Sequence, residues 1–211
     1  MKENEYDEKN DDVQNDYDYT VDNLVATVFL TLKNKLDLLK IARKVIDSEY
    51  NPEKFPGVVL RIQNPKTTFL IFSTGKMVVT GAKNEAHLFN AVKKAIKTIR
   101  DIDIKIADYN IEIVNFVVSG NLEMPIDLNL ATLTFETSLY EPEIFPGLVY
   151  YMKEPKAVFL IFSNGKFVCT GAKNEKTIKR AIEKLKKQVK TYDIIYENED
   201  FSIPEELTNF Q

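Results

Sequence analysis

The chain has one cysteine, one histidine and no tryptophan among its 211 residues. A single thiol, Cys169, cannot build a disulfide framework or a cysteine metal site, which fits a reducing, intracellular compartment. The single imidazole, His87, has no partner motif around it that would make it a general base. Metal-ligand spacings, a Walker motif and a Gly-x-Gly-x-x-Gly loop are absent. Uninterrupted apolar stretches reach only four to six residues, which is strand length and far short of a membrane span. No segment has the pattern of a signal peptide. Enzyme chemistry therefore lacks its usual carriers, no cofactor is called for, and a membrane partner is not expected.

Charge is unevenly spread. The formal net charge is -4, yet the acid sits at the ends. Residues 1–22 carry nine Asp/Glu against two Lys, and residues 196–211 carry five Asp/Glu and no Lys or Arg. The intervening 23–195 hold 26 basic and 18 acidic residues, a net of +8. A basic body suits a polyanion partner, although a lysine-rich solvated surface gives the same balance. Residues 1–22 read as a disordered tail, and 196–211 as an acidic C-terminal tail.

What is present, twice, is one segment. Tyr50 to Glu85 and Tyr140 to Glu175 align without a gap at an offset of 90, and 23 of the 36 positions are identical. Such a duplication implies two copies of one supersecondary unit about a pseudo-twofold axis. A nearly twofold partner suits that arrangement, and duplex DNA is the commonest one. Each half reads in the same order. A strand over residues 23–30 is answered by one over 113–119. A helix follows over 35–48, with Leu38, Ile41, Ala42, Val45 and Ile46 on one face, and its counterpart spans 127–136. Strands come next near 57–62, 67–72 and 76–80, the last two joined by a Gly-containing turn that is Asn164-Gly165 in the second half. Asn84 and Asn174 are candidate N-caps of long helices striped by Leu88, Val92, Ala95, Ile96 and Ile99, and by Ile178, Ala181, Ile182, Leu185 and Val189. The lysines of the last helix fall outside its stripe and read as a solvated face before a nucleic-acid contact. Two helices and about five strands per half make an α+β fold, with an antiparallel sheet and helices on one face.

The strands then break a rule. In an antiparallel sheet covered on one side, apolar and polar residues alternate. Here Phe69, Ile71, Met77 and Val79 point one way, while Leu70, Phe72, Val78 and Thr80 point the other. The second half repeats this with Phe159, Ile161, Phe167 and Cys169 against Leu160, Phe162, Val168 and Thr170. Helices can cover one set. The second set makes a broad apolar face, which marks a binding surface. With Lys and Arg around it, such a face suits the minor groove, which is read largely by shape and by A·T versus G·C.

The segments NLVATV, YNPEKFPGVVLRI and PKTTFLIFSTGKMVVTGAK, with YEPEIFPGLVY and PKAVFLIFSNGKFVCTGAK in the second half, closely resemble the TATA-binding protein family. The match covers about 23–192, with FPG and VCTGAK leaning toward archaeal members. The resemblance implies a pseudo-twofold saddle: a tail over 1–22, a first repeat over 23–107, a second over 108–195, and a second tail over 196–211. Its concave sheet would sit on a TATA box and its convex helices would face partner proteins. Phe55 with Phe72, and Phe145 with Phe162, would act as wedges that unstack base steps. Asn23 and Asn115 would donate to groove acceptors near the dyad, beside Thr80 and Thr170. Val25, Val78, Val117 and Val168, with Leu70 and Leu160, would pack on the groove floor. Arg61, Lys76, Lys83, Lys166 and Lys173 would contact phosphates. Tyr151 stands where second repeats of the family usually carry a base matching Arg61. Tyr140, Glu141, Glu143 and Ile144 match the segment that meets transcription factor B. The implied partners are double-stranded TATA-box DNA, transcription factor B and the RNA polymerase machinery, with a self-dimer through the apolar face when DNA is absent. An alternative is a TATA-binding-like regulator that sequesters transcription factors and binds DNA weakly.

Overall fold

The computed structural model describes residues 19–195; residues 1–18 of the tail read above as disordered and the acidic tail over 196–211 lie outside the described residues. The first half contains β1 (Tyr19–Thr31), α1 (Leu38–Lys44), β2 (Ser48–Glu49), β3 (Val58–Ile62), β4 (Thr67–Ile71), β5 (Lys76–Ala82) and α2 (Glu85–Asp101). The second repeats the order: β6 (Asp108–Asn121), α3 (Leu128–Thr134), β7 (Ser138–Leu139), β8 (Leu148–Met152), β9 (Ala157–Ile161), β10 (Lys166–Ala172) and α4 (Glu175–Thr191). All ten strands join one antiparallel sheet in the order β2-β3-β4-β5-β1-β6-β10-β9-β8-β7. That order is a palindrome about the β1–β6 pair, so the pseudo-twofold axis passes between these strands. Val25 faces Asn115 and Asn23 faces Val117 across it.

The helices cover one face. Phe69, Ile71, Met77 and Val79, and their counterparts Phe159, Ile161, Phe167 and Cys169, are at most 1 % exposed. The stripes expected on the long helices are buried without exception, and Ala91 joins the stripe of α2. Each fully buried Val, Leu, Ile or Phe contributes roughly 1.5–3 kcal/mol relative to exposure, so this one layer is the core that holds the sheet. Asn84 and Asn174 cap their helices as expected, accepting from the backbone N–H of His87 and Thr177.

Three expectations need correction. The first strand starts at Tyr19, so residues 19–22, assigned above to the acidic tail, are sheet. Val21 pairs with Val118 on β6, and this central strand outweighs the local acidity of Asp22. The helix expected over 35–48 is only α1. Asp37 caps it by accepting from Lys40 N–H, and Val45 ends it in an extended conformation with its N–H on Ile41 O. Ile46, expected on the buried face, is therefore 99 % exposed. Likewise α3 is shorter than 127–136, because Asp127 is its cap rather than its first turn.

Candidate nucleic-acid interface

The face of the sheet away from the helices is lined by half-buried side chains. Val25, Leu70, Val78, Thr80, Val117, Leu160, Val168 and Thr170 all lie there, as the alternation requires. Four residues that the sequence reading passed over belong with them. Val59 and Val149 stand directly opposite Leu70 and Leu160, and Thr68 and Val158 stand opposite Thr80 and Thr170. Their alternation along β3, β4, β8 and β9 was the signal that could have found them. The face belongs to one sheet that spans both halves.

At each end two phenylalanine rings meet edge to face. Phe55 and Phe72 have centroids 5.7 Å apart at 62°, and Phe145 and Phe162 are 5.9 Å apart at 65°. Phe72 and Phe162 follow β4 and β9 directly, and their backbone N–H groups donate to Lys76 O and Lys166 O, which closes the hairpins. Phe55 and Phe145 sit on tight turns, donating to Asn51 O and Glu141 O. The glycine after each Phe-Pro makes the pair possible. A Cβ on Gly57 would lie 2.8 Å from a ring carbon of Phe55 and 3.3 Å from one of Phe72. On Gly147 the distances would be 2.7 Å to Phe145 and 3.1 Å to Phe162. These two glycines, which the sequence reading did not single out, are what leaves room for the rings.

Near the axis, Asn23 and Asn115 are held the same way. The ladder between β1 and β5 slips between Leu24 and Ala26, opposite Gly81. Gly81 has φ of 99°, a conformation that glycine adopts at little cost, and its freed N–H donates to Asn23 Oδ1 at 2.7 Å. Gly171 does the same for Asn115 at 2.9 Å. An oxygen fixed by a backbone donor leaves no doubt which amide atom is nitrogen. Each Nδ2 also donates to a threonine hydroxyl at 3.0 Å, Thr80 in one half and Thr170 in the other. The second N–H of each amide has no protein acceptor among the described residues, so a donor is presented toward the open face.

Positive charge sits at the rim. Lys76 and Lys166 are exposed at the starts of β5 and β10. Arg61 is exposed and pairs with Glu49 at 3.4 Å, and Lys173 lies 3.8 Å from Glu112. Lys83 borders an open cleft of about 710 Å³ that also includes Lys66, His87 and Lys93. Tyr140 packs partly against the core, while Glu141, Glu143 and Ile144 project into solvent, Ile144 with 79 % exposed. That tip is the same turn that seats Phe145.

The arrangement offers little to catalysis. Cys169 is fully buried, and burial pushes its thiol up to about 12, so it is neutral at ordinary pH. His87 is exposed in the first turn of α2. Among the described residues no group of three or more His, Cys, Asp or Glu could hold a metal ion, and no helix is long and apolar enough to cross a membrane.

An apolar sheet face with paired aromatic ends, amide donors at its axis and a basic rim defines a two-repeat, sheet-based nucleic-acid binder. Comparison with known proteins gives the family. The model of "Transcription factor TFIID (or TATA-binding protein, TBP)" matches residues 18–102 and 110–192. The TATA-box-binding protein of Aeropyrum pernix is 50% identical over 176 residues, 83% of this chain and 86% of that one. That of Pyrobaculum islandicum is 48% identical over 179 residues, 84% and 89% of the two chains. The solved structure of Methanococcus jannaschii TBP superposes with a TM-score of 0.77 at 39% identity, covering 83% of this chain and 99% of that one. The chain belongs to the TATA-binding protein family, and its sheet and helices form that family's saddle.

Proposed function

We propose that this protein is a general transcription initiation factor that binds the TATA box in the minor groove, kinks it, and nucleates preinitiation-complex assembly. The observation that carries the reading is the twice-built phenylalanine pair at the two ends of one open apolar face. The groove floor lies against Val25, Val78, Val117, Val168, Leu70 and Leu160, where the amino group of guanine would meet methyl groups and lose its hydrogen bonds to water. A·T pairs bring no such group and offer acceptors to Asn23 and Asn115. Each phenylalanine pair enters a base step at one end of the site. Steps that unstack easily, such as TA, give way at least cost, so deformability supplies part of the specificity. Arg61, Lys76, Lys83, Lys166 and Lys173 hold phosphates and fix the register without reading sequence.

Transcription factor B docks on the turn of Tyr140, Glu141, Glu143 and Ile144, and RNA polymerase follows. The exposed Ile144, preceded by Glu141 and Glu143, supports this, since the first-half equivalent carries Lys54 there and a single acid, Glu53. The chemistry is binding and bending with no cofactor, and it takes place inside the cell where the DNA is. Without DNA the same apolar face is free to pair with a second copy of the chain.

A mobility-shift titration on a TATA-box duplex and a scrambled G·C-rich control tests the reading, with and without factor B. Preference for the TATA duplex, increased by factor B, is expected. No preference, with factor B still bound in the absence of DNA, would instead support a sequestering regulator, the reading that Tyr151 at the rim favours.

A further inference from the structure

The two halves finish their outer rims differently. Glu49 on β2 and Arg61 on β3 form an exposed ion pair. Ninety residues on, the same positions hold Leu139 and Tyr151. The pairing register is equal in the two halves, since Glu49 faces Val59 and Leu139 faces Val149. Val59 and Val149 in turn face Leu70 and Leu160. Leu139 and Tyr151 therefore lie on the open face of the sheet, in the places of the ion pair. They remain 51 % and 48 % exposed, so no other part of the described chain covers them.

The wider charge distribution follows the same division. Residues 23–107 hold 15 Lys/Arg and 7 Asp/Glu, whereas 108–195 hold 11 of each. Seven of the 11 basic residues of the second half are on α4, behind the sheet. The cleft beside α2 repeats the contrast. In the first half it carries Lys66, Lys83, His87 and Lys93. In the second half Glu183 takes the place of Lys93 and Glu154 that of Asn64, and Glu154 pairs with Arg180 at 3.6 Å.

We propose that the outer edges of the two halves, β2–β3 and β7–β8, hold the duplex by different physics. The rim of the first half grips by charge. Glu49 steadies the guanidinium of Arg61, whose remaining N–H groups are left to take a phosphate. The rim of the second half grips by apolar contact, with Leu139 and Tyr151 packing on the deoxyribose edge of the backbone. A charge contact releases counterions and weakens steeply with salt, whereas a sugar contact does not. The first half, with Arg61 beside Lys76 and Lys83 against only Lys166 and Lys173 in the second, therefore weakens more steeply as ionic strength rises. This inference rests on the DNA-binding reading proposed above.

The test is the salt dependence of affinity for a TATA duplex. Arg61→Gln should reduce the log–log salt slope by about one unit. Tyr151→Ala should weaken binding roughly three- to tenfold at every salt concentration with the slope unchanged, as expected for a lost apolar contact. Tyr151→Phe should bind like the parent. The double change Leu139→Glu with Tyr151→Arg should rebuild the ion pair and raise the slope by about one unit. All these side chains are exposed, and circular dichroism checks that each variant is folded. Binding by Tyr151→Ala that equals the parent's, or a double variant with an unchanged slope, would overturn the inference while the parent still prefers the TATA duplex. A parent with no preference for the TATA duplex would overturn the DNA-binding reading and the inference together.

Discussion

Neighbouring residues on one strand have opposite environments here. Phe69 and Phe159 have no exposed surface, whereas Leu70 and Leu160, one residue further on, are only half-buried. Both positions are large and apolar. One packs under the helices, and the other faces an open side that nothing in the described chain covers. A sheet that needed only to fold would carry polar residues on its open side. The second apolar face is therefore there for a partner, and the difference between the faces separates stability from binding.

The largest effect should come from the covered face. Phe159→Ala should cost about 3–5 kcal/mol of stability, as large-to-small changes in a packed core do, measured by denaturant unfolding. If Leu160→Ala costs as much, the two faces are not distinct. Next is the open face: Phe145→Ala with Phe162→Ala should weaken TATA binding by about 2–4 kcal/mol, in the range of interface hot spots, with little change in unfolding. Fluorescence transfer on end-labelled DNA should show reduced bending as well, and unchanged bending would refute the wedge role. Smaller still, Asn115→Asp keeps the acceptor for Gly171 N–H but removes a donor and adds negative charge. A loss of about 1–3 kcal/mol in binding to A·T-rich duplex is expected by titration, with folding intact.

The smallest effect is a pH dependence. The native thiol of Cys169 holds its proton up to about 12, above the unfolded value near 9. A raised native pKa contributes stability below the unfolded value, and that contribution is lost as pH rises through the window between the two. The unfolding midpoint should therefore fall more steeply above about pH 9 in the parent than in Cys169→Ala. Equal slopes in thermal melts from pH 8 to 10.5 would show that the thiol is not sealed on the covered face.

Much of this was legible in the chain itself. The 90-residue duplication gave the pseudo-twofold axis, and the double apolar alternation of residues 69–80 and 159–170 gave the open face. The stripes of α2 and α4 and their asparagine caps are strong local signals, and they hold. What was hidden depends on contacts distant in sequence. Residues 19–22 look like an acidic tail until β6 supplies a partner. The end of α1 is set by the path to β2, and the apolar pattern at Val45 and Ile46 gives no sign of it. The need for Gly57 and Gly147 appears only when two rings from separate turns close over them. The Leu139–Tyr151 rim becomes visible only when both repeats are laid on the same strand register.

The most direct measurement of the central claim is methyl NMR on the protein titrated with a TATA-box duplex. Methyl signals of Leu70, Val78, Leu160 and Val168 should shift, while those of Ile178, Ile182 and Leu185 beneath the basic face of α4 stay in place. Shifts confined to the α4 side, with the open-face methyls unmoved, would show that DNA binds the lysine-rich helix and that the apolar face serves another partner.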